Sequence, residues 1–421
     1  MTPPAASTRP TPSPRLRARW VMIALAFFAT LVNYLDRQTL SVVAPAIRAE
    51  FHMSNEAYGY VLAAFLLAYA VSNGVSGPII DRLGTKLGYA LSMAWWSTAA
   101  LLHAFAMGPW SLASYRFLLG IGEAGNWPAG VKVATEWFPA EERALAAGIF
   151  NSGAAIGAIA APPLVAWLVI RHGWQAAFFL VGLTGYAWLL VWWRVYRTPP
   201  GLEAAVSAPP APAWRLFRTR FVSVFTLAKV FVDPVWYFYI FWFPQYLSSV
   251  YHFDLASIGM TAWIPFVTAD AGNIIGGWIT GRLVAGGMRS EVARKGMVAA
   301  SCVLMMSAIP VILTTNVWVS IAFISIATFG YTSYNANALA FPADVVPKNM
   351  VASVWGLASM GSGFGGMLFS WLSGLLIDRY GYTPVFIGYG IIPFIVLLLI
   401  VFGIGPLRPL RGFESAMAAE Q

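Results

Sequence analysis

Twelve apolar runs follow one another along this 421-residue chain. They begin near residues 20, 57, 87, 111, 143 and 174 and, after a break, near 221, 257, 292, 317, 350 and 383. A helix that crosses a bilayer needs about 20 predominantly apolar residues, and runs of this length recur throughout. The chain is 59% hydrophobic and only 10% charged, whereas soluble domains carry about 25% charged residues. The pattern predicts an all-α membrane protein and excludes a soluble enzyme.

The break after the sixth run divides the chain into two halves with equal numbers of spans. It is rich in proline, which predicts an extended linker rather than a helix. We therefore predict five segments: an N-terminal tail at 1–19, a six-helix bundle at 20–197, a linker at 198–220, a second six-helix bundle at 221–405 and a tail at 406–421. Two halves with the same span count are typical of an internally duplicated transporter.

Basic residues concentrate on one side of the predicted spans. With the N-terminus inside, nineteen of the 26 Lys and Arg residues fall in inner segments, and only Arg48, Arg171 and Arg379 fall in outer ones. The positive-inside rule then predicts that both termini are cytoplasmic. The formal charge of +9 is therefore a signal of topology. A nucleic-acid partner is not expected, because no basic domain interleaved with aromatic residues stands outside the spans.

Several classes of chemistry are not expected from this sequence. The one cysteine, Cys302, lies inside an apolar run, so an intrachain disulfide is impossible and no Cys/His metal cluster is expected. The sequence contains no nucleophile and base at suggestive spacing. The first residues are rich in Pro and Arg and lack the apolar core of a cleavable signal peptide. We expect no enzymatic activity, no metal and no cofactor.

Four charged residues lie inside predicted spans. Asp36 and Arg37 are adjacent in the first, and Arg116 and Glu123 are seven apart in the fourth, on one face of a helix. A charge near the bilayer centre costs at least about 2.5 kcal/mol, so such residues need a partner or a cavity. Burial raises the pKa of a carboxylate, which favours proton uptake near neutral pH. Arginine keeps its charge and can hold a carboxylate through two hydrogen bonds. The four residues predict an anion and proton site.

Each charged residue also has a structural interpretation. The two pairs could be static ion pairs that hold helices together, and Arg116, nearer the outer end of its span, is the best candidate for such a role. Asp233 precedes Pro234 and could cap a helix break. Lys132 is expected to extend to the inner interface. Lys229 receives no definite role.

A ten-residue motif stands between the second and third spans. It reads Gly77-Pro-Ile-Ile-Asp81-Arg82-Leu-Gly84-Thr-Lys86. Glycines at the turns and an Asp–Arg pair could act as a latch between helix ends. The spacing resembles the cytoplasmic loop signature of the major facilitator superfamily, which identifies a fold and says nothing about substrate.

Two weaker copies of the motif follow later in the chain. Gly277-Trp-Ile-Thr-Gly281-Arg282 lacks the acidic residue, so the latch is expected mainly in the N-terminal half. Gly374-Leu-Leu-Ile-Asp378-Arg379-Tyr-Gly381 falls on the outer side of the predicted topology. We interpret this last copy as a capping or loop pair only.

Further motifs narrow the resemblance. Asn33-Tyr34-Leu35-Asp36-Arg37 and Arg116-Phe-Leu-Leu-Gly120-Ile-Gly122-Glu123-Ala-Gly-Asn126 are similar to segments of the anion:cation symporter family of that superfamily, and of bacterial hexuronate transporters in particular. Asp233-Pro-Val-Trp236-Tyr237 and Ala269-Asp270-Ala-Gly-Asn273 fit the same family. The likeness covers nearly all of the chain outside the tails and linker. It implies twelve transmembrane helices in two six-helix bundles, the major facilitator fold.

The resemblance also implies roles for individual residues. Asp36 and Glu123 would couple protons, Arg37 would hold the substrate carboxylate, and Tyr34 and Tyr69 would line the same pocket. Aromatic, amide and charged side chains elsewhere in the spans suit the faces and hydroxyl edges of a sugar acid. These further candidates for substrate binding are Arg116, Asn126, Tyr237, Asp270, Asn273, Tyr334 and Asn335. Tyr334 and Asn335 could equally join helices.

The implied function is import of an organic anion with one or more protons by alternating access. The expected cargo is a hexuronate such as glucuronate or galacturonate, and another sugar acid (galactonate, glucarate) or small carboxylate is the alternative. A drug exporter would need no anion anchor, and a non-transporting sensor would need a signalling domain that the predicted tails do not supply. The expected partners are the small anion, protons and the lipid bilayer of a bacterial inner membrane, with the chain acting as a monomer.

Overall fold

The computed structural model describes residues 14–138, 142–198, 213–346 and 351–407, and this part of the chain is almost entirely helical. Its α-helices are α1 (Pro14–Glu50), α2 (Asn55–Leu83), α3 (Thr85–Leu102), α4 (Pro109–Glu123), α5 (Asn126–Trp137), α6 (Arg143–Val195), α7 (Arg220–Tyr251), α8 (Leu255–Thr261), α9 (Ile264–Ala285), α10 (Ser290–Met305), α11 (Val317–Ala338), α12 (Phe341–Val345), α13 (Val351–Tyr380) and α14 (Thr383–Leu398). Three 3₁₀ segments (His103–Phe105, Ala213–Arg218 and Met306–Leu313) and a π-helical turn (Leu399–Gly403) complete the helical residues.

The twelve predicted spans are confirmed, although not every span is one unbroken helix. Eight helical segments within the described ranges are long and apolar enough to cross a membrane. One of these, α6, supplies two spans because Gly173 (φ 83°) interrupts it. The shorter α3 and the broken pairs α4–α5 and α8–α9 supply the other three. Much of the predicted N-terminal tail (1–13), of the linker (199–212) and of the C-terminal tail (408–421) lies outside the described residues.

Helical structure reaches into two of the predicted segments. Helix α1 begins at Pro14, within the segment assigned to the tail. The described end of the linker, Ala213–Arg218, is a 3₁₀ helix and follows the last linker proline at residue 212.

The helices form two bundles, α1–α6 and α7–α14. In the first, α6 packs against α1 and α3, while α4 packs against α2; in the second, α11 packs against α9 and α10, while α13 packs against α7. The bundles meet where α2 contacts α13, α1 contacts α7 and α6 contacts α8. The fold therefore provides a long seam between two bundles, as the duplicated sequence predicted.

A proline explains why the fourth span is broken. Pro128 has no N–H group, so the carbonyl oxygen of Ala124, four residues earlier, loses its helical donor. The Ser76 hydroxyl of α2 donates to that oxygen at 3.1 Å. A neighbouring side chain thus satisfies a backbone group that could not otherwise be buried in a membrane. The break falls directly after Glu123.

Two prolines of α7 act in a related way without breaking the helix. Pro234 leaves the carbonyl of Val230 without its helical donor, and that oxygen points at Gly365 of α13 so closely that a Cβ there would collide with it. Pro244 likewise frees the carbonyl of Ile240, which accepts a hydrogen bond from Ser41 at 2.6 Å. Both oxygens meet neighbouring helices, and the Ile240 oxygen meets the other bundle.

The two bundles are joined by hydrogen bonds on one side of the molecule. We call this side, which carries the loops at 51–54, 252–254 and 381–382, the distal face, and the opposite side, where α1 begins, the termini face. The hydrogen bonds made across the two bundles by Ser41, Tyr58 and Asp378 all lie in the distal half. One of them joins the Tyr58 hydroxyl to the Phe241 carbonyl at 3.0 Å. The bundles are closed together at the distal face.

Asp378 forms the most extensive of these contacts. Its Oδ1 accepts hydrogen bonds from the backbone N–H and side-chain amide of Asn55 at 2.9 and 2.7 Å, and its Oδ2 accepts from the Glu56 N–H at 2.7 Å. The carboxylate at the end of α13 therefore caps the N-terminus of α2, where negative charge is favoured by the helix dipole. The capping interpretation of this motif copy is confirmed, and the cap lies across the two bundles.

We expect Asp378→Ala to open the distal face. Loss of a charged cap costs about 1–2 kcal/mol, which changes the ratio of two conformations by a factor of about 5 to 30. The measurement is the distance distribution between spin labels at Met107 and Leu313, which are 89% and 81% exposed in opposite bundles, in a Cys302→Ser background. A longer-distance population should appear.

The matched control is Asp254→Ala. Asp254 also caps a helix at the distal face, but it accepts from Ser257 within its own bundle at 2.9 Å. An equal change of the distance distribution in both variants would show that the Asp378 contact does not hold the bundles together.

Gly365→Ala should destabilise the protein, since the new methyl group would strike a backbone oxygen that cannot move away without shifting α7. Overpacking of this kind costs about 1–3 kcal/mol. Gly388→Ala is the control, because a Cβ at position 388 of α14 meets nothing within 4 Å. A lower apparent melting temperature in detergent is expected for the first variant alone; equal melting temperatures would contradict the close approach.

Candidate functional site

The charged residues of the first and fourth spans meet in the middle of the N-terminal bundle. The Nε and Nη2 atoms of Arg37 both donate to Oε2 of Glu123, at 3.1 and 2.7 Å. Arg37 and Asp36 are each 3% exposed and Glu123 is fully buried. The two helices α1 and α4 thus hold an ion pair whose members are 86 residues apart in sequence.

A glycine in α4 allows this helix to pack closely against α2. A Cβ at Gly120, one turn before Glu123, would lie 2.5 Å from the Phe65 carbonyl oxygen of α2. Because α4 approaches the backbone of α2 so closely, Glu123 is brought beside the side chains of α1 and α2. Small residues at such positions are typical of helix contacts in membranes.

Three aromatic rings surround the Arg37 guanidinium. Its central carbon lies 5.2 Å from the ring centres of Tyr34 and Phe65 and 4.8 Å from that of Tyr69. Each contact is within the range of a cation–π interaction, which strengthens when water is excluded. The structure therefore brings together four of the predicted residues, Tyr34, Arg37, Tyr69 and Glu123, around one cation.

Several buried polar atoms next to this pair have no hydrogen-bond partner among the described residues. They are Oδ2 of Asp36, Oε1 of Glu123, both amide atoms of Asn33 and of Gln38, and Nε and Nη1 of Arg116. Native proteins satisfy the large majority of their buried polar groups, so a concentration of exceptions calls for a functional explanation. The arrangement offers donors and acceptors to a polar ligand or to protons.

Two predicted members of the site have protein partners instead. Asn126 is fully buried, its Oδ1 accepts from the Tyr89 hydroxyl at 2.7 Å, and its amide nitrogen donates to Thr30 at 3.1 Å. Arg116, also fully buried, donates through Nη2 to the carbonyl of Arg37 at 3.4 Å. Asn126 thus ties α1, α3 and α5 together, and Arg116 supports the backbone that carries Arg37.

The C-terminal bundle contributes a second group of polar residues from α7. Tyr237 lies across the seam from Arg37: its ring is 6.1 Å from that of Phe241, which is 6.2 Å from the Phe65 ring beside Arg37. The Tyr237 hydroxyl is 3.2 Å from that of Ser362 on α13. Tyr331 of α11 donates to Oδ1 of Asp233 at 3.0 Å and stacks on Trp236 with ring centres 5.2 Å apart. The two bundles therefore present aromatic and charged groups to each other at mid-membrane depth.

The pairing of Lys229 with Asp233 was not predicted. Lys229 Nζ lies 2.7 Å from Asp233 Oδ1, one helical turn apart on α7, and both residues are 5% exposed. The proposed capping role of Asp233 is wrong: α7 continues from Arg220 to Tyr251 through Pro234. The i,i+4 spacing of opposite charges inside an apolar run was the signal that could have revealed the pair.

The remaining candidates of the C-terminal bundle lie in different environments. Asp270 is half-buried on α9 and shares a helix face with Asn273, which is exposed. Asn335 accepts from Lys229 at 3.4 Å. Tyr334 is fully buried, and its hydroxyl has no hydrogen-bond partner among the described residues. Asn335 thus belongs with the polar group at the seam, whereas Tyr334 is buried inside the bundle.

The loop motif at the termini face is held together differently from the prediction. Asp81 pairs with Lys132 of α5 at 2.8 Å, so Lys132 forms an ion pair where it was expected only to extend to the interface. Arg82 is exposed. Gly84 adopts φ 76°, which ends α2. Lys86 lies over the Trp193 ring, 5.3 Å from its centre, and a Cβ at Gly77 would meet nothing within 4 Å. The motif links α2 to α5 and α3 to α6 inside the first bundle.

The comparisons with known proteins agree with this architecture. Residues 26–291 and 283–419 match the family model of the Major Facilitator Superfamily. The chain is 35% identical over 388 residues to the hexuronate transporter of Escherichia coli strain K12, which covers 87% of this chain and 90% of that protein. It is 36% identical over 279 residues to the galacturonate transporter of Dickeya chrysanthemi, covering 62% of this chain and 81% of that protein.

Solved structures show the same fold. A bacterial homologue of the human lysosomal transporter Spinster, in an inward-facing and unoccupied conformation, matches with a TM-score of 0.71 and 20% identity over 97% of this chain and 94% of that chain. The D-xylose–proton symporter matches with a TM-score of 0.76 and 12% identity over 92% of this chain and 98% of that chain. The chain belongs to the major facilitator superfamily, whose members are transporters and not enzymes.

Proposed function

We propose that this protein is a proton-coupled symporter that imports a hexuronate, glucuronate or galacturonate, across the inner membrane. The observation that carries the proposal is the bond between Arg37 and Glu123, which occupies the guanidinium group needed to hold a substrate carboxylate. The names of the relatives support the cargo: hexuronate and galacturonate transporters are 35% and 36% identical to this chain.

Competition for Arg37 provides the coupling. While Glu123 is ionised, its carboxylate satisfies the guanidinium, and a substrate carboxylate would be repelled by it. A proton on Glu123 removes that charge and frees Arg37 to form two hydrogen bonds with the substrate. Asp36, whose Oδ2 has no partner within the described ranges, serves as the second proton site. Substrate and protons therefore bind together.

Alternating access moves the loaded site from one side to the other. With both termini in the cytoplasm, the distal face is outside and the contacts of Ser41, Tyr58 and Asp378 close the external entrance. The described structure is then inward-facing, and substrate leaves toward the cytoplasm. There, the lower proton concentration returns Glu123 to Arg37, which displaces the carboxylate. The transporter works as a monomer, since one chain contains the complete site.

A second cargo class is favoured by further relatives. A D-galactonate transporter of Escherichia coli is 26% identical to this chain over 93% of its length, and a probable galactarate/D-glucarate transporter of Bacillus subtilis is 27% identical over 93%. Aldonates share the single carboxylate of hexuronates, while aldarates carry two. The mechanism at Arg37 and Glu123 would be the same for each acid; an aldonate would differ in its hydroxyl contacts, and an aldarate would also need a place for its second carboxylate.

Purified protein in proteoliposomes should accumulate labelled galacturonate or glucuronate when an inward proton gradient is imposed. A protonophore should abolish the accumulation, because the gradient is its only energy source. Galactonate and lactate, added as unlabelled competitors, test the cargo class. Transport of galactonate with no uptake of either hexuronate would retain the symporter and replace the cargo; the absence of proton-driven uptake of any acid would refute the proposal.

Glu123→Gln should uncouple substrate from protons. The amide resembles the protonated acid, so we expect substrate binding and exchange to persist, with weaker dependence on pH, while accumulation driven by the proton gradient falls at least tenfold. Glu50→Gln is the matched control, since Glu50 lies on α1 and accepts a hydrogen bond from Trp174 at 2.6 Å. Gradient-driven accumulation by Glu123→Gln at the rate of the unmodified protein would remove Glu123 from the mechanism.

A further inference from the structure

We propose that Lys229 and Asp233 form a second subsite of the pocket, which binds hydroxyl groups of the substrate and excludes acids that carry a second carboxylate. This inference rests on the proposed function, in which Arg37 holds the first carboxylate. Under this proposal, residues of α7 determine the selectivity of the protein for sugars with one carboxylate, such as hexuronates, over sugars with two, such as galactarate.

The position of the pair on α7 connects it to the first site. Lys229, Asp233 and Tyr237 follow at intervals of four residues, so they lie along one face of the helix over about 12 Å. Tyr237, at one end of this row, stacks on Phe241 with ring centres 6.1 Å apart, and Phe241 lies 6.2 Å from Phe65 of the other bundle. The Arg37 guanidinium lies over that same Phe65 ring, 5.2 Å from its centre, and Tyr331 donates to Asp233 at 3.0 Å. A substrate held at Arg37 would therefore extend toward Asp233.

The hydrogen bonds of the pair leave one carboxylate oxygen of Asp233 available to bind a substrate. Both bonds to Asp233, from Lys229 and from Tyr331, end on Oδ1, so Oδ2 accepts none from the described residues. Lys229 also donates to Asn335 at 3.4 Å, and its ammonium lies 5.7 Å from the centre of the Trp355 ring. The result is an acceptor next to a donor, beside aromatic surface. Hydroxyl groups on adjacent carbons can donate to the first and accept from the second.

The charge of the pair disfavours a second carboxylate. Because Asp233 already neutralises Lys229 at 2.7 Å, a second carboxylate would approach the Asp233 oxygens without a free cation beside them. Like charges at such distances in a poorly solvated site repel strongly, and a buried carboxylate without a partner is costly. Specificity against a competitor is often built from such a repulsive element.

The other charged groups facing the pocket lead to the same conclusion. The cations are Arg37, Arg116 and Lys229, and the acids are Asp36, Glu123, Asp233 and the half-buried Asp270 of α9. With protons on Asp36 and Glu123, three cations face two ionised acids, and one net positive charge remains. A single substrate carboxylate balances this charge, whereas a diacid leaves an excess negative charge in the membrane interior.

The test is the relative affinity for a monoacid and a diacid, measured as binding to purified protein by competition with labelled galacturonate. The unmodified protein should prefer galacturonate to galactarate by at least tenfold. Asp233→Asn frees the Lys229 ammonium to pair with a second carboxylate, so the preference should fall at least tenfold. Glu291→Gln is the matched control: it removes the acid of another i,i+4 ion pair, with Lys295 at 3.1 Å on α10, and should not change the ratio.

A double variant keeps the test informative if Asp233→Asn does not fold. Lys229→Met combined with Asp233→Leu removes both charges and leaves neither buried without a partner, which proteins tolerate better than the loss of one partner. Galacturonate binding should then weaken at least tenfold relative to cyclohexanecarboxylate, a ring acid without hydroxyl groups. A folded double variant, judged by size-exclusion chromatography, with an unchanged ratio would contradict the subsite.

The outcomes separate the two proposals. Equal affinity of the unmodified protein for galacturonate and galactarate, an unchanged ratio in Asp233→Asn, or an equal change in Glu291→Gln would overturn the second subsite and leave hexuronate transport in place. Failure of the unmodified protein to bind any hexuronate would overturn the proposed function itself.

Discussion

The bond between Arg37 and Glu123 is the interaction around which the rest of the molecule is arranged. Two opposite charges can be buried at mid-membrane only as a pair, and this pair joins α1 to α4. Its geometry is incomplete, because two guanidinium donors bind the same oxygen, Oε2, and Oε1 of Glu123 accepts no hydrogen bond from the described residues. A pair that served only as structural support would be more stable if Oε1 also accepted a hydrogen bond. The incompleteness is what supports a role in binding, since a substrate or a proton can replace one partner without leaving the other unpaired.

Helix irregularities position this pair and the groups around it. The break after Glu123 exists because Pro128 removes a backbone donor, and Ser76 replaces it. Along α7, Pro244 frees a carbonyl for Ser41 of the other bundle, and Pro234 frees one that meets Gly365. In a membrane each freed carbonyl needs a partner from a neighbouring helix. The position of a proline therefore determines which backbone carbonyl must face a neighbouring helix, and this requirement constrains the rotation of the helix that carries it.

The sequence was sufficient to predict the architecture and only part of the site. Span length and charge position depend on local composition, so the twelve crossings and the buried charges of the first and fourth spans could be anticipated. The static pairs considered from the sequence, Asp36–Arg37 and Arg116–Glu123, are not the pair that forms, because Arg37 binds Glu123 of another helix. The partner of Asp81 could not be anticipated, because Lys132 comes from another helix and its approach depends on packing. Asp233 was interpreted as a cap since Pro234 usually interrupts helices, whereas here the helix continues and Lys229 lies one turn away. The burial of Tyr334 was also beyond the sequence, because α11 is apolar on most of its surface and its pattern does not reveal which side faces the seam.

The hydrogen bonds that close the distal face have an evolutionary consequence. Ser41 and Tyr58 of the N-terminal bundle donate to the main-chain carbonyls of Ile240 and Phe241, and Asp378 accepts from main-chain N–H groups of α2. Each of these four bonds has a backbone partner, although the Asn55 side chain also donates to Asp378, and a main-chain carbonyl is supplied by every amino acid. Residues 240 and 241 can therefore change their side chains while the entrance still closes. A transporter built in this way can acquire a new cargo by substitutions along α7 without having to redesign its gate.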